Sequence, residues 1–177
     1  DGSRRFAKRL VKHLEVPYTE AEREIHRTLQ AYADSRHRSA ATAGQRFATE
    51  FTLQLLKKRL FSSPAAFAGT LAKHVHTVGS AGAACSESQV WQRELEDADQ
   101  DFANDEEAED RRDEALETAS RHAHPLTAEE RGLLAGLRTH ADKFGAIADS
   151  KARTLIDWLK ANLKPGGQWN DRRVIIF

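Results

Sequence analysis

At 177 residues the chain is long enough to bury the core of one domain, and 40% hydrophobic against 31% charged residues lies within the globular range. Its 27 Lys and Arg balance its 27 Asp and Glu, no apolar run approaches the roughly 18 residues of a membrane helix, and no signal-peptide pattern is visible. A single cysteine, Cys85, excludes an internal disulfide framework and a multi-cysteine zinc site, so a soluble, cytoplasmic, largely helical protein is expected.

In chain order the pattern predicts strand, helices, strand. Phe6, Leu10, Leu14, Val16 and Tyr18 alternate as one face of a strand that also carries Lys8 and Lys12. Thr19-Glu-Ala-Glu22 is a capping box and opens a helix with Ile25, Leu29 and Tyr32 on one stripe, ending near Arg36. A second helix is expected over about residues 41 to 61, with Phe47, Phe51, Leu55, Leu56 and Leu60 as its apolar face. Ser63-Pro64 starts a third, because serine caps well and the N–H that proline lacks has no intrahelical partner at that position. Phe67, Leu71 and Val75 line that helix, which stops near Gly79.

Residues 83 to 125 are acidic and poor in large apolar side chains. Val90, Trp91 and Leu95 suggest a short helical patch, followed by Phe102 and a few alanines among Asp and Glu. An exposed helix or a partly disordered connection is expected there, with packing resuming at Ala115, Leu116 and Ala119. Thr127-Ala-Glu-Glu130 is a second capping box, after which Leu133, Leu134, Leu137, Phe144 and Ile147 line a helix. The last helix begins at Asp149-Ser150, with Ser150 read as its cap, and carries Leu155, Ile156, Leu159 and Leu163. Pro165-Gly166-Gly167 ends it, and Val174 to Phe177 forms an unbroken apolar run of the kind found in a strand covered on both faces.

None of the ten glycines precedes a lysine, so the phosphate-cradling Gly-x-x-x-x-Gly-Lys-Ser/Thr loop is missing. Asp105-Glu-Glu-Ala108 and Asp113-Glu-Ala-Leu116 copy the Asp-Glu-x-x box of ATP-driven motors but lie in helix-favouring sequence rather than after a buried strand. His74-x-His76 and His122-x-His124 place their rings on different faces of a helix, so they read as surface histidines and not as a metal pair. Serines 62, 63, 80, 86 and 88 have no adjacent base and suit caps and loops better than nucleophilic attack.

The positive signal is charge. Residues 1 to 82 hold 14 Lys and Arg against 7 Asp and Glu, residues 83 to 125 hold 4 against 14, and residues 126 to 177 hold 9 against 6. A basic surface neutralises phosphates and releases counterions, which makes the N-terminal portion the better candidate for DNA contact. Lys57-Lys58-Arg59, with Arg46 earlier on the same helix, is the candidate nucleic-acid-binding patch. The same residues also suit solubilising charges at the C-terminal end of a helix, where they complement its dipole.

Three words carry a family resemblance: Leu55-Leu-Lys-Lys-Arg-Leu-Phe-Ser-Ser-Pro-Ala-Ala-Phe67, Asp149-Ser-Lys151 with Leu155 to Leu159, and Trp169-Asn-Asp-Arg-Arg-Val-Ile-Ile-Phe177. The chain resembles the segment between the two RecA-like lobes of Swi/Snf-type, superfamily-two ATP-dependent DNA helicases and translocases, particularly bacterial helicase-like members. The resemblance implies a mainly α inter-lobe bundle with short terminal strands, cut from a larger motor. Residues 1–18 would leave the first lobe, 19–82 form a basic helical segment, 83–125 an acidic connection, 126–163 the C-terminal helices, and 164–177 a loop and the first strand of the second lobe. It also implies no catalytic, cofactor or metal site in this segment, with ATP and magnesium bound by the parent, and with duplex DNA and the flanking motor lobes as partners. The rival expectation is a free-standing helical interaction module whose acidic arm docks a basic partner.

Overall fold

The computed structural model describes residues 11–80, 93, 95 and 105–176. Its helices are α1 (Glu20–Ser39), α2 (Ala43–Ser62), α3 (Pro64–Ser80), α4 (Asp105–His122), α5 (Ala128–Phe144) and α6 (Ser150–Leu163), with a 3-10 turn at Pro165–Gly167. The protein is mainly α-helical, as its sequence predicts. The chain divides into two compact units, Glu20–Ile147 and a second made of Asp1–Thr19 with Ala148–Phe177.

In the first unit, α1 packs on α5 and α2, while α3 lies against α2, α4 and α5. One core joins Ile25, Leu29 and Tyr32 of α1, Leu53 and Leu56 of α2, Phe67 and Leu71 of α3, and Leu134, Leu137 and Ala141 of α5. A second, smaller cluster joins Ala48 of α2, Ala115 and Ala119 of α4, and Leu95, with Phe47 and Phe51 half-buried against it. Because α2 is flanked by two clusters, its apolar residues occupy two faces instead of one stripe.

Capping follows the sequence at most starts. Thr42 accepts from the Gln45 backbone N–H at 3.2 Å while the Gln45 side chain reaches back to the Thr42 N–H, and Ser63 Oγ accepts from the Ala66 N–H at 3.1 Å. Thr127 and Glu130 form the expected reciprocal pair at the head of α5. Gly145 ends that helix where a Cβ would lie 2.6 Å from the Ala141 carbonyl oxygen of the same helix and 3.1 Å from Ala68 of α3, so a larger residue would distort the last turn of α5.

The acidic segment is helical, and Ala115, Leu116 and Ala119 pack as expected, but burial also reaches Ala108 and Ser120. Residues 105–122 form a helix packed on α2 and α3, with Ala108, Ala115, Leu116, Ala119 and Ser120 buried. Small side chains let its backbone approach closely, so it joins the bundle with little apolar bulk. Its acids also find cations there: Glu109 pairs with Arg59, and Asp113 with Lys73. Amide hydrogen exchange should show it: the amides of Leu116, Ala119 and Ser120 are expected to be protected to the same degree as those of Leu134 and Leu137. Complete exchange within seconds at these positions would return the segment to the role of a loose arm. Leu95 is buried as expected, while Val90, Trp91 and Phe102 lie outside the described residues.

In the second unit, α6 is capped by Asp149, not Ser150: Asp149 Oδ1 accepts from the Ala152 N–H at 2.7 Å. The carboxylate is the stronger acceptor and adds a favourable charge at the positive end of the helix. Gly166 and Gly167 turn the chain with φ of 67° and 86°, a region glycine enters without strain. Asn170 then returns to the helix end, its backbone N–H bonding the Leu163 carbonyl at 2.9 Å and its side chain the Asn162 carbonyl at 2.7 Å. Neither expected terminal strand forms among the described residues: positions 11–19 and 171–176 have no regular structure, and Val174, Ile175 and Ile176 are exposed. A strand needs a partner for its ladder, and the described chain offers none. Leu10 and Phe177 lie outside the described residues.

Candidate functional site

Two polar groupings stand out against the apolar bundle: one sealed inside it and one at its surface. The sealed one begins where the α1 stripe of Ile25, Leu29 and Tyr32 runs on into buried Ser35 and Arg36. Tyr32 Oη lies 2.8 Å from His74 Nε2, and His74 Nδ1 lies 3.0 Å from Ser120 Oγ, which ties α1, α3 and α4 together. All three residues are at most 1% exposed. Burial, and secondarily the Arg36 charge, push the His74 imidazole down to about 3, and burial pushes the Tyr32 phenol up to about 12. Both groups are therefore neutral through the physiological range. A neutral His74 gives one hydrogen bond and takes one, which satisfies both ring nitrogens.

Beside this relay, Arg36 Nη1 donates to the His124 carbonyl at 2.9 Å and to Glu130 Oε2 at 3.4 Å. His124 Nε2 sits 3.0 and 3.2 Å from the two Glu130 oxygens, while its Nδ1 has no partner. His124 Nε2 also lies 2.9 Å from Arg36 Nη1, and because a ring nitrogen that donates to Glu130 cannot accept from Arg36, it serves one of these two partners at a time. Burial pushes the Glu130 carboxyl up, but hydrogen bonds from the Thr127 backbone and His124, with the Arg36 charge, hold it below the usual carboxylate range. Burial and the Arg36 charge hold His124 below the usual imidazole range, against the opposing pull of Glu130.

This arrangement corrects the reading of the histidines as surface residues. His74 is 1% exposed and His124 8%, whereas His76 is exposed; two positions apart on α3, His74 and His76 face core and solvent. His74 and Ser120 superficially resemble a base and nucleophile, yet both are enclosed by the bundle and no substrate reaches them. The cluster fixes the helices in place. The sequence signal for it was faint: His74 sits at i, i+3 spacing from Leu71 on the Phe67 stripe, and Arg36 at i+4 from Tyr32.

The surface grouping contains the basic residues singled out by sequence. Arg46 lies near the start of α2, its guanidinium donating to the Ala40 and Ala41 carbonyls at 3.5 and 3.2 Å. The basic triplet lies near the other end of α2, about 16 Å away at 1.5 Å per residue, so Arg46 does not join it. Lys57 and Lys58 are exposed, while the Arg59 side chain is only 16% exposed and pairs with Glu109 of α4. Lys58 and Arg59 border a cleft of about 180 Å³ that also takes in Gln54, Ser62 and, from α4, Arg112. Arg112 comes from the acidic segment, which net charge alone had set against nucleic acid.

Among the described residues no three His, Cys, Asp or Glu side chains gather as metal ligands, and no helix is long and apolar enough to cross a membrane. The two Asp-Glu-x-x sequences lie within α4. Cys85, Ser86 and Ser88 lie outside the described residues. Comparison with protein-family models, curated proteins and solved structures returns no match.

Proposed function

We propose that this chain is a non-catalytic helical segment of an ATP-dependent, Swi/Snf-like DNA translocase, joining its two motor lobes and touching the duplex with the C-terminal end of α2. The observation that supports this most is the gathering of Lys58 and Arg59 of α2 and Arg112 of α4 around one surface cleft. Basic side chains gathered in this way suit contact with a phosphate backbone. The exposed run Val174, Ile175 and Ile176 adds support, since consecutive apolar residues favour cover by a neighbouring surface such as a motor lobe. ATP and magnesium belong to the parent, whose lobe closure would drive stepping, and a cytoplasmic setting goes with that role.

One observation favours the rival, a protein-interaction module. Glu107, Asp110, Glu114 and Glu117 are exposed on α4 at i, i+3, i+7 and i+10, which places them on one face. A single experiment separates the two: fluorescence anisotropy of a labelled duplex oligonucleotide across a salt series, with ATP hydrolysis followed in parallel. The translocase segment is expected to bind duplex weakly, to lose affinity steeply as salt rises, and to hydrolyse no ATP above a buffer blank. No binding even at low ionic strength would transfer the function to the acidic face.

A further inference from the structure

We infer that the loop after α6, from Lys164 to Arg173, is a stacking site for single-stranded nucleic acid, with Trp169 as the platform for a base and Lys164, Arg172 and Arg173 as cations for the neighbouring phosphates. The inference concerns the second unit alone and stands whether or not the end of α2 touches a duplex.

Its starting point is an exposed tryptophan on a fixed loop. Trp169 is 73% exposed, although an indole has more apolar surface to gain from burial than most side chains. A slack chain is not the reason. Pro165 stops α6, Gly166 and Gly167 turn the backbone, and the Gly167 N–H donates to the Lys164 carbonyl at 3.2 Å. Beyond the ring, Asn170 bonds the Leu163 and Asn162 carbonyls, and its Oδ1 accepts from the Arg172 N–H at 3.0 Å. Residues on both sides of Trp169 are thus pinned to the helix end, so little freedom is lost when a flat ligand settles on the ring. The Asn170 bonds also occupy two carbonyls at the negative end of α6 that would otherwise repel a phosphate.

Charge selects the kind of guest. Lys164 Nζ lies 5.4 Å from the Trp169 ring centroid, a cation–π contact that orients the indole and sets a positive charge beside it. Arg172 and Arg173 follow shortly after the ring and are exposed, and Asp171 is the one acid between Lys164 and Arg173. Among the described residues no acid pairs with Lys164, Arg172 or Arg173. The sign holds for the unit as a whole: residues 1–19 and 148–177 carry 11 Lys and Arg against 5 Asp and Glu, whereas residues 20–147 carry 16 against 22. An exposed aromatic ring with cations close by in a short loop suits a single strand, whose bases stack on the ring while its backbone meets the charges. A duplex can use the cations but not the ring, because its bases are already stacked. An apolar protein surface would cover the run from Val174 to Ile176 but leave the cations near Trp169 without counter-charge.

The test is fluorescence anisotropy of a labelled oligothymidylate titrated with the full chain in a salt series, for wild type, Trp169→Ala, Trp169→Phe and Arg172→Gln. An abasic strand of the same length and a duplex are titrated alongside. Wild type is expected to bind oligothymidylate at least about fivefold more tightly than the abasic strand. Trp169→Ala is expected to lose that advantage and to leave the abasic strand unaffected, while Trp169→Phe, which keeps a flat ring, recovers part of it. Arg172→Gln should weaken both strands and lower the slope of log affinity against log salt by about 0.7. Both positions are exposed, so the fold is expected to persist, and amide spectra check it.

Equal affinity of wild type and Trp169→Ala for oligothymidylate overturns the site, since the strand then binds elsewhere. Failure of wild type to bind the strand even at low salt also overturns it and assigns the exposed ring to a protein contact. The duplex arm keeps this site apart from the end of α2: Trp169→Ala is expected to leave duplex affinity unchanged, and an equal loss on duplex and single strand overturns the stacking. Absence of duplex binding with a tryptophan-dependent single-strand affinity supports the site and removes only the contact assigned to α2.

Discussion

Replacing Glu130 with alanine is expected to destabilise the bundle by about 3–5 kcal/mol, read as a fall in the urea midpoint at neutral pH. Glu130 is 0% exposed and Arg36 2%, so water cannot replace what the substitution removes. Three bonds go at once: the 2.8 Å acceptor for the Thr127 backbone N–H, the partner of His124 Nε2, and the charge opposite Arg36. The dominant cost is the guanidinium left buried without a counter-charge. Against a typical total stability of about 5–15 kcal/mol, that loss brings the fold close to its limit. Glu130→Gln keeps an acceptor for Thr127 and His124 and loses only the charge, so it should fall between wild type and Glu130→Ala. Pairing Glu130→Leu with Arg36→Met removes both charges and is expected to recover part of the stability. A loss under about 1 kcal/mol for Glu130→Ala would mean that water reaches the cluster.

The capping role of Glu130 was legible because it needs only a threonine three residues earlier. Its contact with Arg36 was not, since the partner lies 94 positions away and no local pattern marks it. The same division runs through the fold. Ile25, Leu29 and Tyr32 announce α1 by spacing, and Ser63-Pro64 announces the start of α3. Helix α3 packs Val75 half-buried against the core as expected, but it also buries His74, which was not expected. A polar side chain on an apolar stripe reads as exposed until its partners, here Tyr32 and Ser120, are known.

Helix α4 was legible only in part: Ala115, Leu116 and Ala119 marked its packed end, while the burial of Ala108 and Ser120 was not foreseen. Periodicity is carried by large apolar side chains, and α4 buries mainly alanines and one leucine. Its many acids suggested solvent, although Glu109 and Asp113 are held by cations of α2 and α3. The same error concealed the candidate cleft. Arg112 lies among acids in sequence yet borders the same cleft as Lys58 and Arg59 of α2 in space, a neighbourhood that block charges do not reveal. At the other end of the chain, Phe144 is only half-buried and Ile147 is exposed, because the inward face of α5 is complete at Ala141. Spacing alone does not say where a core stops.

Acid should unfold this protein well before its surface carboxylates are all protonated, and His74 should be the principal cause. Its folded form resists a proton down to about 3, whereas an unfolded histidine takes one near 6.5. Below pH 6.5 the unfolded chain therefore binds a proton that the folded chain refuses, and stability falls by up to about 1.4 kcal/mol per pH unit for this one group. The groups around it do not compensate. Tyr32 and Ser120 stay neutral, Arg36 keeps its charge, and His124, also held below 6.5, loses stability in the same direction. Glu130, held below 4.5, contributes stability above that value and surrenders it as the pH falls further. The urea midpoint should thus be level above about pH 7, decline from 6.5, and steepen below 4.5 as Glu130 joins. His74→Gln removes one of these protons: it should start less stable at pH 7, because Tyr32 and Ser120 lose their shared partner, yet decline less steeply between pH 6.5 and 4.5. Parallel lines for the two proteins would show that His74 takes up its proton in the folded state, and that the relay from Tyr32 to Ser120 is open to solvent.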